Sequence, residues 1–141
     1  MMGAMHRVEQ FWRHSAGRIR RVLTERPEGT RVAGSPAEVE LLACLRSFGV
    51  EPPERQHRID LGGGWAAVVD LAWPQRLLAA EWDGADTHAG AQALAYDLER
   101  QNAIFDLGWS LRRYTGGAVR RDPRRVATQL ARALATSRAA A

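Results

Sequence analysis

Apolar positions along the chain fall into periods that change from segment to segment. Between residues 6 and 25, Val8, Phe11, Trp12, Ile19, Val22 and Leu23 recur near helical spacing with arginines opposite, which predicts an amphipathic helix. Residues 26–34 carry Pro27, Gly29 and Gly34 and read as a linker. Ser35-Pro36-Ala37-Glu38 then places Ser at an N-cap, Pro at the first helical position and Glu at the third, the pattern of a capping box. Leu41, Leu42, Leu45 and Phe48 continue that helix as an apolar stripe, and Gly49 ends it. Three strands are expected next. Residues 55–60 alternate weakly, Gly62-Gly63-Gly64 reads as a hairpin turn, and residues 65–73 and 77–83 are apolar runs short enough for buried strands. Pro74-Gln75-Arg76 is a tight turn between the last two. Residues 91–107 predict a helix with Leu94, Leu98 and Phe105 near one face and Gly108 as its stop. Residues 109–114 read as a strand and Gly116-Gly117 as a turn. Asp122-Pro123 starts a last helix that runs to about Leu134, with Val126, Leu130 and Leu134 inward.

These elements predict an α/β fold, a mixed β-sheet flanked by helices, with core order α-β-β-β-α-β-α and an extra N-terminal helix. The expected organisation is a basic arm and linker over 1–34, a compact domain over 35–136 and a frayed tail over 137–141.

Composition narrows the chemistry. The chain has 141 residues, room for one domain. No run approaches a membrane span, and the arginine-rich start lacks the continuous apolar stretch of a secretory leader. A lone cysteine, Cys44, excludes an internal disulfide framework and a cysteine-rich zinc site, so a reducing cytoplasm is the expected location. Cys44 itself reads as a small buried apolar side chain. All 20 basic residues are arginine, which excludes Schiff-base and P-loop chemistry, both of which need a lysine. Charge is segregated: net +4 over residues 1–31, −7 over 32–111 and +7 over 112–141. Basic flanks suit a polyanion, and a carboxylate-rich centre suits a divalent cation.

The acids of interest lie in the middle hairpin. Asp70 is embedded in Val68-Val69-Asp70-Leu71, and Glu81 and Asp83 in Ala80-Glu81-Trp82-Asp83. Carboxylates inside apolar strands are costly unless paired, hydrogen-bonded or metal-bound. Pairing Trp73 with Leu78 places Asp70 opposite Glu81, with Cβ atoms about 4.5–5.5 Å apart. Three acids then converge at one end of a hairpin, and their repulsion raises at least one pKa unless a cation intervenes. Oxygen donors of this kind suit Mg²⁺ or Mn²⁺. Glu38 closes the capping box on one reading, yet its spacing from Leu41, Leu42 and Leu45 also lets it point at the hairpin. His88, just beyond the acidic strand, is either solvated or placed to activate water or touch phosphate. Asp97 and Arg100 are spaced for an ion pair within one helix. Arg113 ends the last strand, where it either reaches a phosphate or extends to solvent.

From Ser35 to Leu134 the chain resembles small bacterial domains related to very short patch repair endonucleases, which are similar in fold to the PD-(D/E)xK restriction-endonuclease-like superfamily. Five pieces carry the resemblance in order: Ser35-Pro36-Ala37-Glu38, Val69-Asp70-Leu71-Ala72-Trp73-Pro74, Ala80-Glu81-Trp82-Asp83-Gly84, Tyr96-Asp97-Leu98-Glu99-Arg100, and Gly108-Trp109-Ser110-Leu111-Arg112-Arg113-Tyr114-Thr115. Two positions depart from the pattern. Asp83 stands where the superfamily usually has lysine, and Thr87-His88 stands where the family often has two histidines.

The resemblance implies metal-dependent hydrolysis of phosphodiesters in duplex DNA, in repair or defence. Asp70, Glu81 and Asp83 are the implied ligands of Mg²⁺ or Mn²⁺, with Glu38 or His88 assisting the attacking water. Arg100 and Arg113, together with Arg120, Arg121 and Arg124 of the basic C-terminal segment, are the implied nucleic-acid contacts. The alternative is a DNA-binding module of the same fold without turnover, in a defence or toxin system. Phe11 and Trp12 also motivate a homodimer or partner-protein contact through the N-terminal helix.

Overall fold

The computed structural model describes residues 35–83 and 90–137, and of Asp83 the main chain alone. The helix read at 6–25, its linker, His88 and the end of the tail lie outside the described residues. The elements run α1 (Pro36–Ser47), β1 (Glu54–Gly62), β2 (Trp65–Trp73), a 3₁₀ turn (Pro74–Arg76), β3 (Leu78–Asp83), α2 (Ala91–Asp106), β4 (Ser110–Thr115), α3 (Gly116–Arg121) and α4 (Pro123–Thr136). The sheet order is β1-β2-β3-β4, antiparallel except for the parallel β3–β4 pair. This is a mixed α/β fold with a four-stranded mixed sheet between helices.

Local chemistry fixes most boundaries. The Ser35 hydroxyl accepts the Glu38 N–H at 3.2 Å and starts α1. Asp122 accepts the Arg125 N–H at 3.0 Å and starts α4. One expectation fails at Gly116-Gly117, which begins α3 instead of a turn. The reason is the preceding residue: the Thr115 hydroxyl accepts the Ala118 N–H at 3.0 Å, an N-cap that directs the chain into a helix.

Two apolar clusters cover the two faces of the sheet. Leu71, Trp73, Leu78 and Ala80 pack with Leu41 and Leu45 of α1, Val119 of α3, and Val126 and Leu130 of α4. Ala67, Val69, Ala72 and Ala79 pack with Ile104 of α2. Cys44 is half-buried against the first cluster. An amphipathic stripe normally marks a helix's core face, but Leu94, Leu98 and Phe105 of α2 are exposed, and Ile104 is the helix's buried apolar residue. The sheet-facing positions of α2 go instead to Arg100 and Asp97, which reach strand residues.

Besides a register shift between Asp60 and Gly62 at the hairpin turn, the strands carry an irregularity at mid-length. Val69 and Leu71 are two apart, a spacing that puts side chains on one face of a regular strand, yet they lie in opposite clusters. Asp70 sits between them. Its neighbour across the β1–β2 ladder is Gln56, flanked by the pairs Arg55–Leu71 and His57–Val69. Gln56 has φ of 49°, a left-handed conformation rare outside glycine. The two strands therefore kink together at Gln56 and Asp70.

Candidate functional site

The expected hairpin register is present: Trp73 pairs with Leu78, Ala72 with Ala79 and Leu71 with Ala80. The pairing then stops. Asp70 and Glu81 are next in line but form no ladder pair, because β2 turns away at the kink while β3 continues along β4 to Asp83. A fork opens between β2 and β3. Asp70 bridges it with its side chain: Oδ2 accepts the Trp82 N–H at 2.9 Å, and Oδ1 accepts from Gln56 Nε2 at 3.1 Å. A carboxylate thus replaces the missing main-chain partner.

Burial raises the Asp70 pKa above the ordinary aspartate range. The bonds from Trp82 and Gln56 oppose that shift, and the charges of Glu81 and Glu38 reinforce it. Asp70 is therefore electrically coupled to Glu81 and Glu38; the third acid expected at the hairpin end, Asp83, has its side chain outside the described residues.

Glu81 is buried and doubly held. Arg100 forms a two-pronged pair with it, Nη1 to Oε1 at 3.0 Å and Nη2 to Oε2 at 2.8 Å. Arg100 Nη2 also donates to the Val68 carbonyl at 3.3 Å, so one guanidinium ties β3 to β2 across the fork. Arg113 Nε lies 3.3 Å from Glu81 Oε1, and its Nη1 donates to Asp97 at 2.6 Å and to Gln101 at 3.1 Å. Burial alone lowers the Arg100 pKa, but the bond and charge of Glu81, with Asp97 behind them, outweigh it and hold the guanidinium above its usual value.

No family model matches the chain, and no solved structure matches it. It is similar to uncharacterised proteins of two strains of Mycobacterium tuberculosis. The identity is 36 % over 108 residues, covering 77 % of this chain. The chain spans about 40 % of the length of those curated relatives.

The residues singled out in the sequence are distributed as follows. Asp70, Glu81 and Glu38 meet around the fork. Glu38 is buried, and its carboxylate pairs with Arg55 of β1. The capping box is thus half formed: Ser35 caps Glu38, while the Glu38 side chain turns to the hairpin. Asp97 and Arg100 make no ion pair with each other among the described residues. Each reaches over to the sheet, because both lie on the covered face of α2, where Arg113 and Glu81 are the nearer partners. Arg120, Arg121 and Arg124 are exposed on α3 and α4, and Arg124 lies over the Phe48 ring at 5.6 Å. The Asp83 side chain and His88 lie outside the described residues. Among those that are described, no group of three acids, histidines or cysteines is arranged to hold a metal ion, and no helix is long and apolar enough to cross a membrane.

Arg55 and Gln56 escaped the sequence reading, although they hold Glu38 and Asp70. The signal that finds them is the hairpin turn at Gly62-Gly63-Gly64. Counting back from it along β1 puts these two side chains beside Leu71 and Asp70.

The donor set can be tested for a divalent cation by its chemistry. Asp70 offers hard oxygens whose hydrogen bonds use one lone pair each, and like charges crowd it, a strain that a cation relieves. Glu81 offers the same donor type, but with both oxygens engaged by guanidiniums. Asp70 has the donor chemistry for such an ion, Glu81 is engaged by Arg100 and Arg113, and the described residues as they stand group no three donors around one.

Proposed function

We propose that the chain is a metal-dependent nucleic-acid phosphodiesterase of the restriction-endonuclease-like type, acting on duplex DNA in repair or defence. The observation that carries this reading is the half-buried Asp70 carboxylate at the mouth of the β2–β3 fork, held by Trp82 and Gln56 and coupled to Glu81 and Glu38. The five sequence pieces of the very short patch repair resemblance support it. On this reading Asp70 and Glu81, with Asp83 from the end of β3, would hold Mg²⁺ or Mn²⁺. Such an ion would supply Lewis acidity, lowering the pKa of a water and offsetting charge on the phosphate. The chain's own residues do the rest. Gln56 and the Trp82 N–H fix the Asp70 carboxylate. Arg100 and Arg113 orient Glu81 and supply positive charge beside an incoming phosphate. Glu38 and His88 are the candidates for moving the water's proton. Arg120, Arg121 and Arg124 add affinity for the polyanion that does not depend on sequence.

Asp70→Ala is expected to abolish Mg²⁺- or Mn²⁺-dependent nicking of plasmid DNA and to leave salt-sensitive DNA binding intact. Cleavage that survives the substitution overturns the assignment.

A second reading has its own support. Because both oxygens of Glu81 are taken by Arg100 and Arg113, the same fold serves equally as a DNA-binding module without turnover. Calorimetric titration of Mn²⁺ into the wild type with a duplex present separates the two: no heat of binding favours the module.

A further inference from the structure

β4 is an edge strand of the sheet, so among the described residues one side of it faces no other strand. Its side chains divide between the two faces of the sheet. Arg113 turns to α2 and Glu81, while Arg112 and Tyr114 turn to the face covered by α4. There Arg112, Tyr114, Gln129, Arg132 and Thr136 line an open cleft of about 410 Å³. Its lining contains no acid. Arg112 and Arg132 are both exposed and neither forms an ion pair among the described residues. The Thr136 hydroxyl donates back to the main chain at 3.2 Å. The remaining donors are two guanidiniums, the Gln129 amide and the Tyr114 phenol. Burial raises the Tyr114 pKa, against the opposing charge of Arg112, so the phenol keeps its proton through the neutral range.

A cleft rich in donors and free of acids fits an anion with several acceptor oxygens. Guanidinium forks match a pair of phosphate oxygens in geometry as well as charge. α4 also carries exposed Arg124 and Arg125 about two turns before Arg132, so positive charge continues away from the cleft along the helix. That continuity favours a polymer of phosphates over a single small anion.

We propose that the Arg112–Arg132 cleft binds a backbone phosphate of a nucleic acid, on the sheet face opposite the Arg100–Glu81 pair. The choice of ligand rests on the nucleic-acid reading above, and the test separates the two. Binding of a short labelled duplex is followed by fluorescence anisotropy over a range of salt concentrations. The wild type is compared with the double variant Arg112→Gln/Arg132→Gln and with a control of equal charge, Arg46→Gln/Arg58→Gln, whose residues lie away from the cleft. Thermal unfolding of each confirms that it folds. In the cleft variant the slope of log affinity against log salt is expected to fall by about 0.9, the value for one lost phosphate contact, and the control is expected to keep the wild-type slope. In parallel, inorganic phosphate is expected to shift the Arg112 and Arg132 Nε–H resonances of the wild type. Duplex binding with the same slope in both double variants overturns the cleft and leaves the nucleic-acid reading standing. A wild type that binds no duplex overturns that reading and this choice of ligand together. Phosphate that moves neither resonance overturns the cleft as an anion site of any kind.

Discussion

Asp70 is half-buried between its strand neighbours, and the direction of its pKa shift sets a stability consequence. The folded-state pKa is raised, chiefly by burial. Between the unfolded and folded pKa values the native state therefore binds more protons than the unfolded chain, and stability falls as pH rises through that window. Above it, the ionised carboxylate costs the fold stability. Asp70→Asn removes that cost, and its carbonyl still accepts the Trp82 N–H. Urea unfolding in the presence of a chelator should show the variant more stable than wild type at pH 7, with the advantage shrinking as pH falls toward the usual aspartate range. A variant less stable at pH 7 contradicts the account. Glu81 presents the opposite case, a buried acid already matched by guanidinium. Its side chain is 9 % exposed and that of Arg100 14 %. Removing one partner of a buried pair leaves the other uncompensated, so Arg100→Ala should lose about 3 kcal/mol. Arg100→Lys should recover only part of that, since an ammonium cannot span both Glu81 oxygens and the Val68 carbonyl.

At the level of elements, α2 is the instructive one. Its existence and limits were legible from residues 91–107, but its orientation was not. The Leu94, Leu98 and Phe105 stripe points to solvent, with Leu94 58 % and Leu98 49 % exposed. Arg100 and Asp97 take the sheet side because Glu81 and Arg113 require partners there, and an ionic demand inside the fold outweighs a periodicity of apolar residues. This orientation is checked by contrast. Leu98→Lys should change stability by less than about 0.5 kcal/mol, as a surface substitution does, while Ile104→Ala should cost about 3 kcal/mol for the cavity it leaves. The reverse ranking in denaturant unfolding overturns it. Elsewhere the sequence was more informative. The Ser35 and Asp122 caps, the turn at Pro74–Arg76 and the register from Trp73 and Leu78 all follow from local residue chemistry. The kink at Gln56 was not legible, because nothing in a glutamine announces a positive φ. Neither was the choice of Glu38 for Arg55, which depends on two elements meeting. The acids Asp70 and Glu81 could be placed near each other from spacing alone, but the guanidiniums that hold Glu81 belong to distant segments.

Over the whole molecule, the two sheet faces are unlike. One carries the carboxylate fork beneath α2, and the other carries the larger apolar core and the arginines of α4. A fold divided this way does not loosen evenly, and one amide reports on it. The Trp82 N–H is shielded by the Asp70 carboxylate, whereas its neighbours in β3 are shielded by the β-ladder. Its exchange with deuterated water is then timed by the swing of a single side chain, not by the parting of strands. In a native-state exchange series the Trp82 amide should exchange ahead of the Ala79 and Ala80 amides and become faster still in Asp70→Ala, with those two unchanged. The fork thus contains its own clock, readable in a protein that has bound nothing.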